Sequence, residues 1–262
     1  MSCYSWNSTE YSKSAALQEN AATELISALA VQSTEKVLDL GCGIGNLTLE
    51  LGAIACQGEV VGVDTSPSMI EQAKRNLQAT QLPNVRFLVA SVIDLPTDAT
   101  FDVVFSNSVL HWVNDQRQLL RAVRRLLSNN GRMGLQFPLL NADHPLISVS
   151  QKAIQTMGLE SRYASWPFPW YVPESPSSYA HMLRELSFGN VHVTQRETTF
   201  CFGSASAALG FFDAVGLPLF QQPLFPDEAT AFKDEVRCIL AGLETETGVR
   251  FDFSRLYICA SV

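Results

Sequence analysis

The chain has 262 residues, 47% of them hydrophobic, and a formal net charge of −8 at pH 7. That length suits one domain, or one domain with a lid, around an ample core. The acidic balance, with a pI near 5.0, argues against a surface that follows nucleic-acid phosphates. No stretch reaches the roughly eighteen apolar residues of a membrane span, and no charged start with an apolar run opens the chain. We therefore expect a soluble cytoplasmic protein, monomer or homodimer, that binds no nucleic acid and has no membrane span.

Strands and helices alternate up to residue 137. Such alternation predicts right-handed crossovers and a mostly parallel sheet, with ligands bound beyond the carboxyl ends of its strands. After residue 137 the spacing changes, and we expect two substrate-cap insertions, at 138–175 and 203–250. Strands are predicted near 36–40, 59–64, 85–89, 101–106, 131–137, 190–200 and 253–260, and helices near 46–54, 66–78, 115–128 and 175–187.

A glycine-rich loop, Asp39-Leu40-Gly41-Cys42-Gly43-Ile44-Gly45-Asn46, follows the first strand and precedes a helical pattern. Its glycines allow a sharp turn and close approach to a ligand, and the helix N-terminus beyond offers free amide donors. Asn46 stands where a dinucleotide fingerprint has its third glycine, and Asp39 lies two residues before the first. This pattern favours a ligand with a cationic group over a pyrophosphate, which argues against a nicotinamide dehydrogenase.

A second carboxylate, Asp64, ends the next strand about twenty residues beyond the loop, and an acid at that spacing suits a ribose diol. Thr65-Ser66-Pro67 then opens a helix, with Ser66 as the N-cap and Pro67 at the first helical position.

The segments 37–45 and 61–70 together resemble the class I S-adenosylmethionine-dependent methyltransferases. The resemblance implies a Rossmann-like α/β fold, a seven-stranded mostly parallel sheet with helices on both faces, and S-adenosylmethionine as cofactor. It implies that the glycine loop surrounds the methionine part, that Asp64 holds the ribose, and that a segment after the third strand meets the adenine. Many relatives have an acid where this chain has Ser91. The cofactor positions implied are Tyr11, Asp39, Gly41, Gly43, Gly45, Asp64, Thr65, Met69, Ser91, Val92 and Ser106.

The segment 106–113, Ser-Asn-Ser-Val-Leu-His-Trp-Val, follows the fourth strand at the ligand edge. Together with Trp6, Tyr11 and Gln18 it resembles small-molecule carboxyl methyltransferases of the trans-aconitate and juvenile hormone acid type. The resemblance implies that Gln18 and Trp112 hold the acceptor carboxylate, while Tyr11, in an N-terminal lid over residues 1–30, excludes water. A carboxylate is already ionised at pH 7 and needs no general base.

The chemical class of the methyl acceptor is suggested by composition in the second half of the chain. Aromatic residues in 163–171 and the apolar run 211–220 favour an apolar or aromatic carboxylic acid. A second acid group on the acceptor would require a cation, and four arginines are candidates: Arg162, Arg184, Arg196 and Arg255.

Two other functions remain open. His111 could serve as the general base for O-, N- or C-methylation of a phenol, amine or enol. Alternatively, a protein of this fold could bind the cofactor without methyl transfer, because fold does not fix function. The six cysteines show no Cys-x-x-Cys pair and no metal-ligand spacing with the four histidines, so we expect no metal.

Overall fold

The computed structural model describes residues 16–96 and 100–262, with side chains described from Ala22 onward. Within these residues seven strands form a single sheet in the order β3-β2-β1-β4-β5-β7-β6. Strands β1 to β5 pair in parallel, whereas β7 runs antiparallel to both of its neighbours. The strands are β1 Lys36–Leu40, β2 Glu59–Asp64, β3 Val85–Val89, β4 Phe101–Asn107, β5 Leu127–Pro138, β6 Gly189–Phe202 and β7 Val249–Ser261.

The described helices alternate with the strands as far as β5, except between β3 and β4, where the described residues contain a short 3₁₀ turn, Val92–Asp94. Helices α1 to α4 are Ala16–Leu29, Asn46–Ile54, Pro67–Gln78 and Gln116–Leu126. Helices α5 to α7 are Pro145–Thr156, Glu160–Tyr163 and Pro176–Glu185, and α8 to α10 are Ala205–Val215, Leu217–Phe220 and Pro226–Leu243. No helix of the described residues is long and apolar enough to cross a membrane.

The predicted elements are present, and the boundaries differ where pairing overrides the local pattern. Strand β5 begins at Leu127 rather than 131, because Leu127 already pairs with Phe101 across an irregularity in the register. Strand β7 begins at Val249 rather than 253, because it continues to pair with the end of β6 as far as Phe202. The early start of β7 is not evident from the sequence, because polar residues alternate with apolar ones there.

Among the described residues, three clusters of buried side chains stabilise the fold. Two of them involve the strands of the sheet and the helices α1 to α4 and α7. The third, here called the cap cluster, joins α5 and α8 to α10 with the paired ends of β6 and β7. The segments 138–175 and 203–250 thus pack against each other around their own apolar core.

Arg132, in the first half of β5, binds the C-terminal end of α1. Its Nε donates to the Leu29 carbonyl at 2.7 Å, and it pairs with Glu35 at 2.7 Å. Glu24, earlier in α1, pairs with Arg196, which lies in line with Pro138 at the carboxyl end of β5. Helix α1 therefore packs antiparallel to β5. The first turns of α1, which include Gln18, therefore point to the ligand edge.

Candidate active site

The glycine loop has the backbone that its sequence requires. Gly41, Gly43 and Gly45 have φ angles of 70°, 53° and 85°, in the left-handed region that favours glycine. A Cβ on Gly41 would lie 2.2 Å from a Val109 methyl group, and one on Gly45 would lie 2.5 Å from the Phe87 ring. A Cβ on Gly43 would meet no atom of residues 16–96 and 100–262 within 4 Å, its chain neighbours apart. Gly43 therefore faces open space at the carboxyl end of β1, where a ligand can approach.

Asp64 connects this loop to the start of α3. One carboxylate oxygen accepts the Gly43 N–H at 3.0 Å, and the other accepts the Ser66 N–H at 2.8 Å. Burial raises the pKa of Asp64, and hydrogen bonds from backbone N–H groups oppose that rise. A carboxylate offers about four acceptor positions, so Asp64 can still accept a hydrogen bond from a ligand hydroxyl. Its neighbour Thr65 is exposed at the same edge.

The helix that follows Asp64 is positioned as the sequence predicts. The Ser66 side chain accepts the N–H of Met69 as the N-cap, and Pro67 occupies the first turn. Met69 and Ile70 are buried against the sheet.

Asp39 is buried behind the glycine loop, with 2% of its surface exposed. The Thr48 hydroxyl, in the first turn of α2, donates to its carboxylate at 2.6 Å. Burial raises the pKa of Asp39 to about 7, the Thr48 hydrogen bond lowers it, and the charge of Asp64 raises it. The pKa of Asp39 therefore lies near neutral pH. Because Thr48 lowers this pKa through its hydrogen bond, Thr48 contributes to the site, and the sequence analysis did not identify it.

The remaining expected cofactor residues lie at the ends of β3 and β4. Ser91 caps a short 3₁₀ turn, Val92–Asp94, by accepting the Ile93 N–H, and Val92 is buried. The Ser106 hydroxyl is buried and donates to the Leu40 carbonyl at 2.7 Å, which ties β4 to β1. Direct contacts of these residues with the cofactor remain predictions.

Hydrogen bonds from one glutamine hold the turn after β4, where the acceptor is predicted to bind. Gln116 donates from Nε2 to the Leu110 carbonyl at 2.7 Å and to the Val113 carbonyl at 2.5 Å. Its Oε1 accepts the hydroxyl of buried Tyr179 at 2.8 Å. The turn between those carbonyls carries His111 and Trp112, so a buried network fixes both of these residues.

His111 is neutral in this environment. It is 5% exposed, and burial lowers the pKa of its imidazole well below 6.5, with further lowering by Arg255 and His144. Its Nδ1 has no hydrogen-bond partner among the described residues. The His111 ring lies 5.1 Å from the ring of Trp112, which in turn lies 5.6 Å from Trp170 of the cap cluster.

Burial separates the four candidate arginines. Arg162 pairs with Glu228 at 2.8 Å, Arg196 pairs with exposed Glu24, and Arg184 is exposed on α7. Arg255 is 4% exposed and donates from Nη1 to the Ser108 hydroxyl at 3.1 Å. Of the four, Arg255 is therefore the one that adjoins the loop after β4.

A family model described as a methyltransferase domain matches residues 32–165. The chain belongs to this family. It is 28% identical over 258 residues to the trans-aconitate 2-methyltransferase of Enterobacter sp., with 97% of each chain covered. It is 30% identical over 188 residues, 70% of each chain, to an uncharacterized methyltransferase of Schizosaccharomyces pombe. The solved structure of the YcgJ protein from Bacillus subtilis has a TM-score of 0.63 at 20% identity, covering 93% of this chain and 98% of that one.

Family membership confirms the predicted enzyme class, an S-adenosylmethionine-dependent methyltransferase, and the shared fold confirms the predicted architecture. The residues of the methyltransferase fit this cofactor. Gly43 leaves room at the loop, and Asp64 keeps acceptor capacity for a ligand hydroxyl such as those of a ribose. The contact of Asp39 with the cationic amine remains a prediction, because Asp39 is buried behind the loop.

Two predicted residues at the N-terminus fall outside this description. Tyr11 precedes the described residues, and the side chain of Gln18 also lies outside them. Their roles at the methyltransferase site therefore remain predictions. Tyr179 and Gln136 were missed because their contacts, with Gln116 and Ser108, are distant in sequence. Gln116 was missed although its bonds to Leu110 and Val113 are local, and Gln136 although it is a polar residue between Leu135 and Phe137.

Proposed function

We propose that this methyltransferase forms a methyl ester on a carboxylate oxygen of a small organic acid. When bound, the cofactor supplies a methyl group activated by a positively charged sulfur. The carboxylate oxygen forms the new O–C bond as the C–S bond breaks, and the sulfur leaves as a neutral thioether. No proton has to be removed, since the acceptor is already ionised at pH 7.

The observation that carries the proposal is the neutral, buried His111 in the turn after β4. A general base works best when its pKa lies near the working pH. Burial and the neighbouring Arg255 disfavour a protonated His111, which makes it a poor acceptor for the proton of a phenol or amine. A carboxylate acceptor removes the need for that step, and this favours esterification over methylation with His111 as base.

The comparisons support an acid acceptor at the level of relatives. A protein named trans-aconitate 2-methyltransferase aligns with 97% of the chain, although only 28% of residues are identical. The similarity extends beyond the cofactor-binding half to the acceptor loop and to the strands after it. This extent agrees with an acceptor that belongs to the same chemical class.

Positioning is the task that we assign to the acceptor-side residues. Gln18 and Trp112 would hold the carboxylate with one oxygen in line with the methyl–sulfur bond. Neutral donors suit this task, because a tightly paired cation would weaken the nucleophile. Correct orientation can contribute roughly 7 to 11 kcal/mol of the barrier reduction.

An apolar character of the acceptor has weaker support. The side chains that suggested it, including Trp170, Phe212 and Phe220, are buried in the cap cluster. Trp166 packs on Phe220 with 5.2 Å between ring centroids. Packing within the cap therefore accounts for these aromatic residues without an acceptor, and an apolar or aromatic acid remains a prediction from composition.

The test is mass spectrometry of the products formed from S-adenosylmethionine and a panel of small acids, phenols and amines. The expected product is an acid that has gained one methyl group and loses it in mild base, as esters do. Methylation of a phenol or amine would contradict the proposal and return His111 to the role of base. Measured cofactor binding without any methylated product would indicate a protein that binds the cofactor without transfer.

A further inference from the structure

We propose that Arg255, Gln136 and Ser108 form a subsite for a second carboxylate of the acceptor, so that the preferred substrate is a di- or tricarboxylic acid. The inference rests on the proposed carboxyl methylation and defines the acceptor class more closely. It assigns the second acid group to β5, β7 and the loop after β4, beside the turn that carries His111 and Trp112.

The first step is the position of Arg255. It lies on β7, opposite Pro138 at the carboxyl end of β5. Its guanidinium reaches across β5 to the hydroxyl of Ser108, the residue directly after β4. A permanent cation is thus buried at the ligand edge of the sheet, next to the point where the acceptor turn begins.

The second step is the side-chain amide of Gln136. This residue lies on β5 between Asn107 of β4 and Tyr257 of β7, and none of its surface is exposed. Its Oε1 lies 3.4 Å from the Ser108 hydroxyl, whereas its Nε2 has no hydrogen-bond partner among the described residues. A buried donor without a partner is costly, so an unpaired amide at this edge indicates a ligand oxygen that accepts from it.

The third step is the backbone of Ser108, the residue that links the other two. Its φ of 61° lies in the left-handed region, which is uncommon for serine. Its N–H donates to the Gln136 carbonyl at 2.7 Å, and its hydroxyl contacts both Gln136 and Arg255. Strained residues of this kind cluster at ligand sites, where surrounding contacts hold them in place.

The chemistry of these groups matches a carboxylate. Guanidinium and amide N–H groups donate to its oxygens, and charge-assisted hydrogen bonds are stronger than neutral ones. Strands β4 and β7 are two strand spacings apart, about 10 Å, and the Arg255 side chain spans part of that distance. The Arg255 charge acts on His111, whose ring lies 5.1 Å from the ring of Trp112, so the subsite adjoins the turn where the methylated acid group would be held.

The test measures binding apart from turnover. Trans-aconitate, with three carboxylates, and crotonate, with one, are titrated by calorimetry into protein saturated with S-adenosylhomocysteine. The variants are Arg255→Gln and Gln136→Leu. Arg184→Gln is the matched control, because it makes the same substitution at an arginine that is exposed on α7. We expect trans-aconitate to bind the unaltered protein at least tenfold more tightly than crotonate. Each subsite variant should weaken trans-aconitate binding about 10- to 100-fold, with little change for crotonate or for Arg184→Gln.

Gln136→Leu separates a ligand role from a structural one. If its amide awaits a ligand, the leucine variant should keep or raise the melting temperature while it loses affinity for trans-aconitate. A lower melting temperature with unchanged affinity would overturn the subsite. The subsite would also be overturned if trans-aconitate bound no more tightly than crotonate, or if neither acid bound. Binding that depends on Arg255, without methylation of any acid, would support the subsite and refute the proposed esterification. Methylation of trans-aconitate and crotonate to the same extent would support the esterification and refute the subsite.

Discussion

The hydroxyl of Tyr179 on α7 donates a hydrogen bond to Oε1 of Gln116 at the start of α4, across 2.8 Å and out of contact with solvent. The amide of Gln116 then holds the carbonyls of Leu110 and Val113. The orientation of the turn between them thus depends on a tyrosine more than sixty residues further along the chain.

Tyr179→Phe should raise the acceptor KM about three- to tenfold and leave the cofactor Kd unchanged. The substitution leaves Gln116 Oε1 buried and unpaired, which lowers the free energy of unfolding by about 1 to 3 kcal/mol. Steady-state kinetics and calorimetry check both values. Tyr171→Phe is the matched control, because the hydroxyl of nearby Tyr171 makes no hydrogen bond among residues 16–96 and 100–262. Equal effects of the two substitutions would contradict the positioning role of Tyr179.

Gly43→Ala should abolish most cofactor binding at a modest cost in stability. The new methyl group would occupy the open space in front of the loop, and its left-handed backbone costs about 1 to 2 kcal/mol. Gly158→Ala is the control, since Gly158 has a φ of 64° and equally open surroundings at the end of α5. Both variants should lose similar melting temperature, whereas only Gly43→Ala should lose affinity in a cofactor titration.

Asp64→Ala should weaken cofactor binding about 10- to 100-fold, because it removes charge-assisted hydrogen bonds that hold the loop and a ligand hydroxyl. Trp112→Ala should chiefly raise the acceptor KM. Titration with S-adenosylhomocysteine, followed by kinetics with the methylated acid, separates the two effects. An equal loss of cofactor affinity in both variants would refute this division of roles.

Asp39 should make both folding and cofactor binding depend on pH. Its pKa of about 7, raised from an ordinary 3.8, means that the native state keeps a proton that the unfolded chain releases. The free energy of unfolding should therefore fall as the pH rises from about 4 to 7. Cofactor affinity should change in the opposite direction, because a cationic amine favours ionised Asp39, and should level off above pH 7. Melting and titration series at pH 5 to 8 check this, and Asp39→Asn should flatten both profiles.

Thr48→Val should weaken cofactor binding at pH 7 and shift its pH dependence upward. The Thr48 hydroxyl stabilises the ionised form of Asp39, so its removal raises the pKa of that carboxyl further. The near-equal volume of valine limits the change in packing. Affinity that recovers at pH 8.5 would agree with this explanation, and a loss independent of pH would contradict it.

Sequence patterns predicted most of the architecture because its signals are local. The glycine loop, the Ser66 cap and the apolar strands each depend on residues within about ten positions of one another. The long pairing of β6 with β7 is not local, and charged residues such as Arg250 and Asp252 interrupt its apolar pattern. Its extent could therefore be measured only in the folded sheet.

The candidate site also combines features that the local sequence predicts with contacts that only the fold brings together. Asp39 and Asp64 stand in recognisable spacing, whereas the contacts of Gln116 with Tyr179 and of Ser108 with Arg255 join distant segments. Four arginines looked equivalent in the sequence because burial and pairing are properties of the fold. The left-handed backbone of Ser108 likewise has no signature in its neighbours.

The cap cluster has a consequence for how such an enzyme diversifies. Its aromatic side chains pack mainly on one another, and its core is distinct from the two that support the glycine loop. Substitutions within the cap can therefore change its packing while the two clusters beneath the glycine loop stay as they are, and they would reshape the acceptor site if the cap covers it as predicted. A lineage built on this plan can exchange one acid for another without having to rebuild its cofactor pocket.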